Sequence, residues 1–193
     1  VVLDGDGLTT EEMHRFANWT NLSETTFLLP PTDPAADYRV RIFTTEVEYP
    51  FAGHPTIGSC HAWLEAGGVP KSDGVVVQEC GAGLVPIRRD DGLAFAAPPL
   101  IRSGPVDDAD MEMVCAVLRI DRDEIVDAAW ADNGPGWLAV QLADADAVLA
   151  IDPDFGAAHH FDIGLAGLHP SGGDADLEVR AVFRTNGGPG VED

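Results

Sequence analysis

Basic residues are scarce: 11 Lys and Arg stand against 33 Asp and Glu, a formal net charge of -22. A field of that sign repels nucleic acid and anionic membrane, and neither is expected as a partner. Cysteine is scarce as well. Cys60, Cys80 and Cys115 form no CxxC pair and leave an odd number, which argues against a disulfide framework and a structural zinc site and fits a reducing cytoplasm. No apolar run approaches the ~20 residues of a membrane span, and no basic region followed by an apolar stretch opens the chain. There is no initiator Met, no Pro-rich spacer and no short-period array. The 193 residues that remain are 45% hydrophobic, enough for one domain or two small lobes. The acids are dispersed through turns, as in Asp107-Asp108-Ala109-Asp110, a pattern of solvated surface rather than of an acidic tail.

Periodicity divides the chain. Thr9-Thr10-Glu11-Glu12 supplies caps and early acids for a helix with Met13, Phe16 and Ala17 at helical spacing, ending near Trp19. Thr25 to Leu29 and Tyr38 to Thr44 read as strands. His54-Pro55-Thr56 opens a second helix, closed by Gly67-Gly68. Short strands over 75–79, 84–87 and 93–96 then suggest an antiparallel meander. A boundary is expected near Gly104, giving an N-terminal lobe over 1–104 and a C-terminal lobe over 105–193. The second lobe reads as a helix over 110–118, strands around Trp130 and over 137–142, a helix over 144–150 and a strand over 177–183, a loose repeat of the first. The coarse class is α+β.

Two segments could carry chemistry. In Asn21-Leu22-Ser23-Glu24-Thr25-Thr26-Phe27 a carboxylate stands between a helix end and an apolar strand, where Leu22, Phe27 and Leu28 are expected to shield it. Burial disfavours the charged form of a carboxyl, which suits it to general acid–base work at neutral pH. The same pair, Ser23-Glu24, also fits an ordinary turn at a strand edge. In Glu48 to Thr56 a glycine turn feeds a helix start, where backbone amides attract anions, Gly53 lets a ligand approach and His54 can hold or relay a proton. Helix capping with a surface histidine explains it equally well. A hydrolase reading lacks a GxSxG elbow, and Ser59 falls within a helix. His159-His160 with Asp152, Asp154 and Asp162 reads as surface loop before metal site, and Cys60, a turn inside its helix, reads as core. Gly187-Gly188-Pro189-Gly190 and Asn133 to Gly136 read as loop and tight turn, without the Lys-Ser/Thr of a phosphate cradle.

Asn21 to Phe27, Arg41 to Thr44 and Glu48 to Gly58, in that order, closely resemble the N-terminal signature of the PhzF-like isomerase family, and Asp132 to Trp137 and Gly190 to Asp193 are similar to later family segments. The resemblance implies a diaminopimelate-epimerase-like fold of two pseudo-equivalent lobes, each a curved, mostly antiparallel sheet around a central helix. It implies Glu24 as the residue that shuttles a proton between carbon atoms, His54 and Asp193 as catalytic partners, and Ser23 and Gly53 as substrate-positioning groups. It further implies a small carboxylate-bearing substrate, no metal or organic cofactor, a homodimer and a cytoplasmic setting.

The resemblance also implies an opening strand and Gly-Asn-Pro turn before Val1, and a Pro-Val-Thr-Gly-Ser turn with a second central helix after Asp193. The C-terminal lobe is therefore expected to be incomplete, and the chain on its own inactive and poorly folded. Two other readings stay open: an amino-acid epimerase or racemase of the same fold, and a small-molecule-binding fragment without activity.

Overall fold

The computed structural model describes residues 1–184 and 190–192. The chain divides into two compact units, Val1–Pro99 and Leu100–Asp193.

In the first unit α1 (Thr10–Thr20) begins at a reciprocal cap: the Thr9 hydroxyl accepts from the Glu12 amide and the Glu12 carboxylate accepts from the Thr9 amide. It ends at Asn21 in the left-handed region, φ 53°. Strands β1 (Thr25–Leu29) and β2 (Tyr38–Phe43) pair antiparallel, and β3 (Glu48–Tyr49) extends the hairpin from β2. Helix α2 (Gly53–Glu65) then crosses over to β4 (Val75–Cys80), which lies parallel to β2, and β5 (Gly83–Arg88) and β6 (Ala94–Phe95) follow as the expected meander.

Both faces of this sheet are covered because β1 and the end of β2 carry apolar residues on both sides. Tyr38, Val40 and Ile42 face a core that includes Cys60 of α2, with Ile57 and Trp63 packed against it. Phe43, with Phe27 of β1, packs against Met13 and Ala17 of α1. At roughly 25 cal/mol per Å² of buried apolar surface, such aromatic positions dominate the stability of a small unit.

The second unit is a six-stranded sheet in the order β12-β11-β10-β9-β8-β7. In chain order it runs β7 (Arg102–Pro105), α3 (Asp108–Leu118), β8 (Ile125–Asp132), β9 (Leu138–Leu142), α4 (Ala145–Leu149), β10 (Phe161–Leu168), β11 (Leu177–Arg184) and β12 (Val191–Glu192). Asp107 and Asp144 cap α3 and α4 through their carboxylates. Gly104, where the sequence suggested a division, lies within β7 opposite Trp130. Val114 and Val117 of α3 and Val148 of α4 share a core with Ile163 and Leu165 of β10 and Val140 of β9. On the other side of the sheet Val179 and Leu168 are exposed.

Strand β10 was not legible in the sequence. Its core-facing residues Phe161, Ile163 and Leu165 are separated by Asp162, Gly164 and Ala166, which read as loop composition. Tertiary contact decides this segment, since Gly167 lies against the Asp144 carbonyl where a β-carbon would collide.

The two units repeat one layout. In the first, Val2 bridges Phe27 in parallel, and α1 lies between them in the chain. In the second, Leu138 pairs with Ile163 in parallel, with α4 between them at the same chain separation. The next strand, β2 or β11, then pairs antiparallel.

Candidate active site

Glu24 sits one residue before β1, just beyond the left-handed turn at Asn21 that ends α1. His54 is the second residue of α2. The fold brings these positions together: His54 Nε2 lies 3.0 Å from Glu24 Oε2, with the carboxylate side chain 11% exposed and the imidazole 72% exposed. Glu24 Oε2 is itself buried and accepts no directed hydrogen bond among the described residues. A shielded carboxylate thus touches a solvent-facing imidazole, the arrangement needed to pass a proton between an enclosed base and a ligand or water. Leu22 does not provide the expected shielding, being 59% exposed. Phe27 and Leu28 are buried, one in each core of the unit.

Helix α2 holds this pair in place by polar links that hydrophobic patterning does not reveal. The buried Tyr38 hydroxyl donates to Gln78 Oε1 at 2.8 Å, and Gln78 Nε2 donates to Thr56 Oγ1 at 3.0 Å. Thr56 in turn donates to the Ala52 carbonyl at 2.8 Å, at the cap of the helix that carries His54. From the same helix Ser59 donates to Thr26 Oγ1 of β1 at 2.9 Å, two residues from Glu24. Ser59 is therefore a buried structural group, as its position inside a helix suggested. Tyr38 also stacks on Trp63 of α2 at 5.3 Å. One sheet row is thus tied to each end of the pair.

Ser23 is half-buried beside Glu24, and Gly53 is the first residue of α2, adjacent to His54. A β-carbon on Gly53 would meet Phe95 Cζ at 3.5 Å, an ordinary contact, so the packing itself does not demand glycine there. Asp193 lies outside the described residues. Cys60 is fully buried, and burial pushes its thiol up to about 11. Among the described residues no group of three or more His, Cys, Asp or Glu side chains is arranged to hold a metal ion, and no helix is long and apolar enough to cross a membrane.

The sequence reads one further cluster, His159-His160 with Asp162, as surface loop, and the structure differs at Asp162. Asp162 of β10 is buried, its Oδ2 lies 3.3 Å from His160 Nε2, and no directed hydrogen bond reaches that oxygen. Adjacent histidines in a loop-like stretch gave no warning of it, because the strand that buries Asp162 was itself hidden.

A two-sheet α+β protein with a carboxylate–imidazole pair at the junction of a strand and a helix start is the class that the fold and site define. Its relatives are consistent with that class: the family described as "Phenazine biosynthesis-like protein" matches residues 1–181, and the chain belongs to this family. It is 39% identical over 163 residues to "Antisense-enhancing sequence 1" of Schizosaccharomyces pombe, covering 80% of this chain and 55% of that one. It is 42% identical over 98 residues to a trans-2,3-dihydro-3-hydroxyanthranilate isomerase of Pseudomonas aeruginosa, covering 50% of this chain and 34% of the relative. The chain thus spans about half of the first relative's length and about a third of the second's. In fold it is similar to a PhzF-family phenazine biosynthesis protein of Bacillus anthracis, with a TM-score of 0.71 at 22% identity over 95% of this chain and 65% of that one.

Proposed function

We propose that the protein is an isomerase that moves a proton between carbon atoms of a small carboxylate-bearing ligand, dihydroaromatic or amino-acid-like, with Glu24 as the group that takes and returns the proton. The observation that carries this reading is the pairing of a shielded Glu24 with a solvent-facing His54 at 3.0 Å. A carboxylate beside an imidazole can abstract a proton from a carbon next to an electron-withdrawing group and return it at another, while His54 adjusts the charge at Glu24 and exchanges protons with solvent. The name of the Pseudomonas relative, an isomerase of a dihydro-hydroxyanthranilate, supports the reaction class. Ser23 and the Gly53 amide are proposed to position polar groups of the ligand, and Asp193 to act with Glu24. The chemistry is assigned to protein acids and bases alone, in a homodimer.

The test is solvent deuterium uptake. Incubated in D2O with a dihydro-hydroxyanthranilate or a panel of amino acids, the protein is expected to introduce deuterium into the ligand, and Glu24→Gln to lose that exchange while keeping its circular-dichroism spectrum. Deuterium confined to an amino-acid α-carbon would identify an epimerase instead. Ligand-induced thermal stabilisation without exchange would identify a binding protein. Exchange unchanged in Glu24→Gln removes Glu24 from the mechanism.

A further inference from the structure

The C-terminal unit holds a second carboxylate–imidazole contact, close to the position that the repeated layout gives for Glu24. Val2 and Phe27 correspond to Leu138 and Ile163, since each couple is joined by the same parallel pairing and the same chain separation. Shifted by that correspondence, Glu24 falls on His160 and Thr26 falls on Asp162. In the first unit the imidazole comes from α2 and the carboxylate precedes β1. In the second, the imidazole precedes β10 and the carboxylate is the second residue of that strand. The pattern of exposure is shared: side-chain exposure is 2% for Asp162 and 54% for His160, against 11% for Glu24 and 72% for His54.

Asp162 Oδ2, like Glu24 Oε2, is a buried oxygen that no directed donor reaches among the described residues. Thr26, at the corresponding position, receives the Ser59 hydroxyl, whereas Asp162 Oδ2 receives no directed donor among the described residues. A buried carboxylate without donors loses its hydration and gains little in return, so it favours the protonated form. The charged groups felt by Asp162 are His160, just before its own strand, and Asp132 at the end of β8. Phe183 is its cross-strand partner on β11, and the Gly136 backbone approaches Oδ2 closely enough that an added β-carbon would stand 3.6 Å away. Asp132 is occupied by the turn that follows it, accepting from the Gly134 and Gly136 amides at 2.8 and 2.9 Å. Burial lifts the Asp162 carboxyl to about 6, with His160 opposing the rise and Asp132 adding to it. A group held there changes its proton near neutral pH, as an acid–base residue must.

We propose that Asp162 and His160 form a second acid–base pair, in which the buried carboxyl holds a proton and the exposed imidazole exchanges it with a ligand or with water. This rests on the proton-transfer reading of the family chemistry and extends it to a residue couple in the C-terminal unit. In each exchange a proton leaves the Asp162 carboxyl for His160 Nε2 as another leaves the opposite ring nitrogen for the acceptor, and the reverse step restores both. No other reactant is consumed.

Two measurements on the protein test it. The first needs no turnover: in an NMR pH titration the Asp162 carboxyl carbon and the His160 ring signals are expected to share an inflection, and Asp162→Asn to remove that inflection from His160. A His160 that titrates identically in the wild type and in Asp162→Asn overturns the pair. The second is deuterium exchange into the same ligands. His160→Gln, a change at an exposed side chain, and Asp162→Asn are each expected to slow exchange by about 100-fold, the ordinary worth of a positioned acid–base group. They are also expected to remove the limb of the pH profile near 6. If Glu24→Gln abolishes exchange and both C-terminal variants leave its rate and pH profile unchanged, the second pair is wrong and the proposed function stands. If the wild type exchanges nothing, the proposed function fails for this chain, and the titration alone then decides whether Asp162 and His160 are coupled.

Discussion

Cys60 and His54 share one helix and have opposite fates. The thiol faces the core beneath Tyr38 and is raised by burial, while the imidazole lies at the open end of the same helix. A raised, buried thiol is a poor nucleophile, so Cys60 is expected to resist alkylation by iodoacetamide at pH 8 and to react only once the protein is unfolded in urea. Fast labelling of Cys60 in the native protein, detected by mass spectrometry, would show that the core does not shield it. At the other member of the site, His54→Gln keeps an exposed polar side chain and removes the titrating ring. It is expected to preserve the fold and to slow deuterium exchange by about 100-fold, as for loss of an acid–base group. Unaltered exchange would reduce His54 to a surface contact. Glu24 was readable as a candidate because the end of a helix and the start of an apolar strand flank it. Its contact with His54 was not, since 30 positions and three strands separate them. Leu22 shows the limit of local reasoning: it precedes Glu24 closely and yet faces solvent.

Helices were easier to read than the strands and bonds that fix them. The Thr9 to Glu12 capping box and the glycines after α2 are local chemistry, and both work as the sequence implied. Thr9→Ala is expected to lower stability by about 1 kcal/mol in urea unfolding, the usual cost of losing an N-cap hydroxyl. The chain from Tyr38 through Gln78 and Thr56 to the Ala52 carbonyl is not local. It joins β2, β4 and α2, and its middle member sits with 0% exposure among apolar neighbours. Gln78→Ala would strand the Tyr38 hydroxyl and Thr56 and open space beside them. A loss of roughly 1–3 kcal/mol for each group left unpaired is expected, read as a lowered urea midpoint. Because the network ends at the cap of α2, weaker ligand binding at His54 should accompany that loss. Strand β10 belongs to the same lesson. Glycine and alanine at alternate positions conceal a strand whose reason for existing is the neighbouring β9 and β11 and the close approach of α4 at Gly167.

At the scale of the whole molecule, a net charge of -22 makes self-repulsion a constant cost of compactness. Moderate salt is therefore expected to raise the melting temperature through screening, and a flat response between 0.05 and about 0.5 M NaCl would show that dispersed acids are already well solvated. Superimposed on this is the pH dependence from Asp162. Its folded value, about 6, lies above the ordinary 3.8, so the stability it contributes is fully present below about 3.8 and is lost as pH rises through about 6. Relative to wild type, Asp162→Asn should therefore gain in melting temperature from pH 4 to pH 7. A difference that stays constant over that range would mean that Asp162 ionises as freely as in the unfolded chain.

Composition, capping residues and apolar spacing determined by themselves the α+β class, most helix ends, most strands of the first unit and the candidacy of Glu24, His54 and Gly53, because each of these is written within a few neighbouring residues; Ser23 entered through the family resemblance. Only tertiary structure decided that Glu24 meets His54, that a buried polar chain secures the helix that carries His54, and that Asp162 is enclosed beside His160. Those outcomes depend on which strands pair and on how closely backbones approach at Gly136 and Gly167, and the physical reason is that burial and hydrogen-bond partnership are properties of the assembled sheet, not of any segment within it.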